Sequence, residues 1–132
     1  MTIATELPRA AYSREVLKPW GREFIFTPAE LPYTGKILYV TGGHRLSLQI
    51  HDVKLESMTL LSGSAILQLE DETGALANIE MLSGVGYTIR PGRKHRLIAV
   101  SDAAVLEAST PEAGTTIRVE DDFGRPDEIR PM

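Results

Sequence analysis

Four side chains that can offer a lone pair to a metal ion stand in two short segments of the sequence. The first segment, SLQIHDVKLE at 47–56, carries Gln49, His51 and Glu56, and the second, RPGRKH at 90–95, ends on His95. One amide oxygen, one carboxylate and two imidazole nitrogens suit a divalent ion such as Zn, Fe, Mn, Co or Ni, and they leave positions open for water or substrate. These four residues are the predicted metal ligands.

The first segment has the spacing of a strand with one polar face. Alternation in an extended chain puts four polar residues on the same side: Arg45, Ser47, Gln49 and His51. Burying such a row without partners is costly, so the row indicates a wet cavity or an ion site. A structural alternative stays open at this point, because a buried His is often only hydrogen-bonded and a Glu is often only solvated.

Composition narrows the class of protein. The chain has 132 residues, 42% hydrophobic and 24% charged, which fits one globular domain. A net charge of -4 and the lack of a basic run argue against a nucleic-acid partner. The absence of cysteine excludes disulfides and thiolate metal sites. No signal peptide and no apolar run of about 18 residues are evident, so we expect a cytoplasmic protein without membrane contact.

Short segments rich in β-formers, separated by glycine and proline, predict an all-β protein. The ten predicted strands cover 22–27, 36–41, 45–51, 56–61, 64–70, 76–81, 85–90, 95–100, 103–109 and 116–120. So many short strands without a helix favour a jelly-roll β-barrel over an immunoglobulin-like sandwich, whose cysteine landmarks are missing.

The chain ends differ from this pattern. Residues 1–14 are predicted to form an N-terminal arm, 15–120 the barrel domain, and 121–132 a polar C-terminal tail that is either loose or laid over a pocket as a strap. The arm could be exchanged with a second subunit, and a homodimer is expected.

The glycines around the predicted ligands complete two longer motifs. The first comprises Gly43, Gln49, His51, Glu56 and Gly63, and the second comprises Gly84, Gly92 and His95. Together they resemble the two consensus motifs of the cupin superfamily, with Gln in place of the usual first His. KPWGREFIF at 18–26, IRPGRKHRL at 89–97 and IRVEDDFGR at 117–125 extend the similarity to the cupin domain of type II mannose-6-phosphate isomerases. The resemblance runs from about residue 15 to 126 and departs from the pattern at Ser57, Met58, Arg90 and Ala99.

The resemblance implies a cupin jelly-roll β-barrel, a divalent metal ion, with zinc expected first, and aldose–ketose isomerisation of a sugar phosphate. The ion would stabilise negative charge that develops on the substrate oxygens. The proton-transferring base is then a metal-bound hydroxide, Lys54 with a lowered pKa, or Glu107 if its side chain points inward. The expected anchors for a phosphate are Lys18, Arg45 and Arg93.

Two other functions are compatible with the same sequence. One is a cupin that binds a sugar or another small molecule without turnover, and the other is a metal-dependent dioxygenase or epimerase, since a fold does not determine a reaction. Sugar-phosphate interconversion, binding without turnover, or oxygen uptake would distinguish the three.

Overall fold

Twelve β-strands make up the structure, a computed structural model that describes residues 10–132. The strands are β1 (Arg14–Lys18), β2 (Gly21–Ile25), β3 (Thr34–Val40), β4 (Leu48–His51), β5 (Glu56–Ser62), β6 (Ala65–Glu70), β7 (Leu76–Glu80), β8 (Gly86–Ile89), β9 (His95–Ala99), β10 (Ala103–Ser109), β11 (Gly114–Glu120) and β12 (Glu128–Arg130). The ten predicted strands correspond to β2–β11, with ends that agree within three residues. Residues 10–132 contain no helix that could span a membrane.

The strands form two six-stranded antiparallel sheets. Their orders are β1-β2-β3-β10-β5-β8 and β12-β11-β4-β9-β6-β7. Neighbours in a sheet are often far apart in the chain, as where β11 pairs with β4 and β10 pairs with β3. This arrangement confirms the predicted jelly roll.

The core lies between the two sheets and follows from the alternation of each strand. Inward apolar residues such as Leu38, Leu67 and Val105 are at most 1% exposed. Trp20 also belongs to this core. The apolar interior fixes the register of each strand, because a slip by one residue would turn its buried side chains outward.

At both ends of the barrel domain, the predicted arm and tail overlap strands of the structure. The predicted arm ends inside β1, and its residues 1–9 lie outside the described part of the chain, so the predicted arm exchange stays a prediction. The predicted tail, 121–132, contains β12, which pairs with β11 through Arg130 and Gly114, Ile129 and Thr115, and Glu128 and Thr116. The tail is therefore a strap that adds an edge strand to the second sheet.

Candidate metal centre

Three of the four predicted ligands converge in the interior between the sheets. His51 is the last residue of β4, Glu56 the first of β5, and His95 the first of β9. A turn carries His95 into place: Arg93 N donates to Arg90 O, with Pro91 and Gly92 between them. Gly92 has a φ of 85°, which a residue with a side chain rarely adopts. Its N–H donates to His51 O at 2.8 Å, so the turn joins the two motifs directly.

The ligand atoms lie at distances suitable for one ion. His51 Nε2 is 3.6 Å from Glu56 Oε2, and His95 Nε2 is 3.4 Å from Glu56 Oε1. One donor atom from each residue lies within 4.8 Å of the others. Ligands bound at about 2.1 Å around a tetrahedral zinc are separated by about 3.4 Å, so the three side chains fit such an ion with little movement.

The three donor atoms have no hydrogen-bond partner in the described part of the chain. They are His51 Nε2, His95 Nε2 and Glu56 Oε1, and all three are buried. Leaving buried polar atoms unpaired is costly, and native structures contain few of them. Three such atoms pointing at one another fit a bound cation.

The opposite nitrogen of each imidazole fixes its orientation. His95 Nδ1 lies 3.0 Å from the carbonyl oxygen of Arg93, which can only accept, so Nδ1 donates there and Nε2 is the nitrogen that faces Glu56. His51 Nδ1 lies 2.9 Å from Thr116 Oγ1, and this hydroxyl oxygen also accepts from Arg130 Nη2 at 2.6 Å. Partners of this kind preset metal-binding histidines for their ion.

Electrostatics keep His51 and Glu56 in the protonation states that a metal needs. Burial, followed by the nearby Lys54 ammonium, lowers the pKa of His51 to about 4, so its imidazole is neutral at pH 7. Burial raises the pKa of Glu56, but Lys54 and the two imidazoles outweigh it and bring the pKa to about 2. Glu56 is therefore a carboxylate.

Gln49, the fourth predicted ligand, lies beside this group. It pairs with His95 across β4 and β9, and its side chain lines the same cavity as His51 and Glu56. Its Oε1 accepts a hydrogen bond from Ser47 Oγ at 3.2 Å. The role of Gln49 as a ligand stays a prediction.

A cavity of about 240 Å³ lies next to the candidate metal centre and is lined by two of its three residues, His51 and Glu56. Its wall includes Lys18, Lys54 and Glu107 from the predicted set. It also carries cationic residues outside the three predicted anchors, namely Arg14, Lys36, Arg118, Arg125 and Arg130. The cavity thus combines lysine and glutamate side chains near the ligands with guanidinium groups elsewhere.

Lys54 is the centre of a buried charge network. Its Nζ lies 2.9 Å from Glu112, 3.0 Å from Glu107 and 3.1 Å from Glu56. A second buried lysine, Lys36, reaches Glu112 at 2.8 Å and Glu107 at 3.7 Å. Two lysines and three carboxylates thus form one buried network beside the candidate metal centre, with one carboxylate more than ammonium groups.

This network bears on the two predicted bases. Burial lowers the pKa of Lys54, yet the surrounding carboxylates outweigh burial and raise it well above its usual value, the opposite of the lowered pKa assumed from the sequence. Burial raises the pKa of Glu107, whose side chain does point inward and lines the cavity. A catalytic base works best when its pKa lies near the working pH, and the raised pKa of Glu107 fits this requirement better than the raised pKa of Lys54.

Two predicted anchors are not in the cavity wall. Arg45 lies outside the wall that Ser47 and His51 line, and its guanidinium binds Asp122 at 2.7 and 2.8 Å. Arg93 donates to the carbonyl of Glu70. Lys18 does line the cavity, with Nζ 3.9 Å from Glu23 Oε1.

The comparisons with known proteins identify the fold. No family model and no curated protein matches the sequence. Among solved structures, a variant of oxalate decarboxylase from Bacillus subtilis superposes with a TM-score of 0.66 at 18% identity, over 80% of this chain and 30% of that one. A formate complex of oxalate decarboxylase from Lactobacillus farciminis gives 0.66 at 17% identity, over 80% and 34%.

A third neighbour has a different biological role. The capsular polysaccharide assembling protein CapF from Staphylococcus aureus gives a TM-score of 0.62 at 12% identity, over 92% of this chain and 35% of that one. The chain therefore spans about a third of the length of these solved proteins. At such low identity the likeness concerns the fold alone: two antiparallel sheets and these neighbours show that the chain has the cupin jelly-roll fold.

Proposed function

We propose that this protein is a metal-dependent aldose–ketose isomerase that acts on a small anionic sugar, such as a sugar phosphate. The observation that carries the proposal is the group of unpartnered, buried donor atoms of His51, Glu56 and His95 at a polar cavity. The cavity, at about 240 Å³, is smaller than typical sites for drug-sized ligands (roughly 300–1,000 Å³), which favours a substrate the size of one sugar.

The residues around the centre support this proposal. When bound, a divalent ion supplies positive charge next to a substrate oxygen. Glu107 lines the cavity with its carboxylate 3.0 Å from Lys54 Nζ, where it can take a proton from one carbon and return it to the next. Lys54, held charged by its carboxylates, supports the oxygen that carries negative charge during this transfer.

The test is a screen of aldose and ketose phosphates with protein of measured metal content, followed by NMR in D₂O. An isomerase interconverts one aldose–ketose pair and introduces solvent deuterium at the carbon that exchanges its proton. Glu107→Gln should retain metal but lose this exchange, whereas Glu80→Gln, on the exposed side of β7, should leave it unchanged. Stoichiometric metal without exchange on any sugar phosphate would contradict the proposal.

A sugar-binding protein without turnover is the second candidate. The observation in its favour is that Lys54 and Glu107 neutralise each other inside a closed network. A charge network of this kind can hold a ligand without transferring a proton. Tight binding of a sugar phosphate without deuterium exchange would select this function.

A further inference from the structure

The strap at the end of the chain places an internal carboxylate between two arginines of the cavity wall. Glu128 Oε1 accepts from Arg118 Nη2, and Glu128 Oε2 accepts from Arg130 Nη1 at 2.5 Å. All three side chains line the cavity that leads to the candidate metal centre. Two guanidinium groups that converge on one anionic group form the arrangement by which proteins recognise phosphate and carboxylate.

Arg118 is held in place by its surroundings, whereas the more exposed carboxylate of Glu128 can turn away. The Arg118 side chain is only 8% exposed, and that of Glu128 is 38% exposed. Arg118 is also held by the carbonyl of Pro126, and its backbone N–H donates to Asp127 Oδ1. Glu128 belongs to a three-residue strand at the edge of the second sheet, which pairs on one side only. Rotation of the Glu128 side chain frees both guanidinium groups without moving this strand, which also carries Arg130.

The two arginines have donor capacity that Glu128 does not use. Arg118 Nε and Arg130 Nε are buried and have no hydrogen-bond partner among residues 10–132. Arg130 Nη2 donates to Thr116 Oγ1, and the same group lies 3.7 Å from Glu112 Oε2. A phosphate, with more acceptor oxygens than a carboxylate, could use these Nε donors as well.

We propose that Arg118 and Arg130 form an oxyanion subsite and that Glu128 occupies it as an internal substitute until the phosphate or carboxylate group of a small ligand displaces it. As a substrate subsite it rests on the proposed function, but anion binding is measurable without any turnover. Ligand entry then exchanges one anion for another on the same two guanidinium groups. Because Arg130 donates to Thr116, whose hydroxyl also contacts His51, the exchange takes place two hydrogen bonds from a candidate metal ligand.

The experiment is calorimetric titration of the full-length protein with sodium phosphate and with sodium acetate. Glu128→Gln removes the competing charge and should strengthen binding of the preferred oxyanion by about tenfold, whereas Arg118→Gln should weaken it by about tenfold or more. Glu120→Gln is the matched control, since Glu120 pairs with Arg96 outside the cavity wall. That variant should bind as the parent protein does, within about twofold. The oxyanion whose affinity increases more in Glu128→Gln, phosphate or acetate, identifies the anionic group of the ligand.

Each titration is made on metal-loaded and on chelator-treated protein, because an anion could bind the metal instead. Binding that persists after chelation and responds to Glu128→Gln supports the subsite. Binding that disappears with the metal, or an affinity that Glu128→Gln and Glu120→Gln change equally, would overturn it. If Arg118→Gln fails to fold, the Glu128→Gln comparison still decides. Loss of isomerase activity alone leaves this result unaffected, so the two proposals fail separately.

Discussion

Replacement of Lys54 by Met tests whether the charge network supports the candidate metal centre. The ammonium is 5% exposed and lies 2.9–3.1 Å from three carboxylates, so its removal leaves Glu56, Glu107 and Glu112 without their common counter-ion. Each contact is worth about 5 kcal/mol by Coulomb's law at an effective dielectric constant of about 20, but the cost of burying the lysine offsets much of that sum. Removing one partner of a buried ion pair typically costs about 3–5 kcal/mol, and we expect a loss in this range.

Chemical denaturation of chelator-treated protein measures this loss directly. For a chain of this size, about 3–5 kcal/mol corresponds to a fall in Tm of about 10–20 °C. Lys94→Met, at a lysine outside the cavity wall, should change stability by less than about 0.5 kcal/mol. The double variant Lys54→Met with Glu107→Gln should lose about 2 kcal/mol less than the sum of the single variants, because it removes one of the carboxylates left unpaired.

Metal provides a second readout of the same variant. A divalent ion at Glu56 would restore positive charge near the position that Lys54 leaves, so metal should stabilise Lys54→Met more than the parent protein. A Lys54→Met protein within about 1 kcal/mol of the parent, or strict additivity in the double variant, would refute the reasoning.

Three further variants test the site and the strap. His51→Ala should abolish stoichiometric metal in elemental analysis while His44→Ala retains it, and equal metal content would contradict the site. Thr116→Val removes the hydroxyl beside His51 Nδ1 and should weaken metal affinity by about 10–100-fold, measured by competition with a chelator; an unchanged affinity would exclude an orienting role. Hydrogen bonds from Arg125 lower the pKa of Asp121 to about 2, so its stabilisation is complete above pH 3.8 and is lost as the pH falls through 2. Asp121→Asn should therefore cost about 1 kcal/mol at pH 7, after solvent screening, and nothing below about pH 2, and a pH-independent difference would contradict this assignment.

The central strands and the three residues of the candidate metal centre could be recognised in the sequence because local rules govern them. Alternation of buried and exposed residues marked β2–β11, and Pro91-Gly92 marked the turn that delivers His95. The strands β1 and β12 were missed because REVLK and EIR are short, largely polar and lie at sheet edges, where little burial imposes a pattern. Their existence depends on β2 and β11, to which they pair.

The charged partners could not be predicted, because they depend on which strands become neighbours. Arg45 continues the alternation of Gln49 and His51 in the sequence, yet it pairs outward with Asp122, 77 positions further along the chain. Arg118 enters the cavity wall because β11 pairs with β4, which no local pattern reveals. A charged residue has the same appearance in the sequence whether it meets solvent, a ligand or a buried counter-ion.

The pairing of β4 with β11 and β9 also determines when the centre can form during folding. His51 lies beside Thr116 and Gln49 beside His95, so closure of long loops precedes the meeting of the donor atoms. All-β chains with such distant pairings fold slowly, on the scale of milliseconds to seconds. Metal uptake during refolding should accordingly lag behind the early burial of Trp20. An ion present from the start of the experiment should therefore slow unfolding far more than it accelerates refolding.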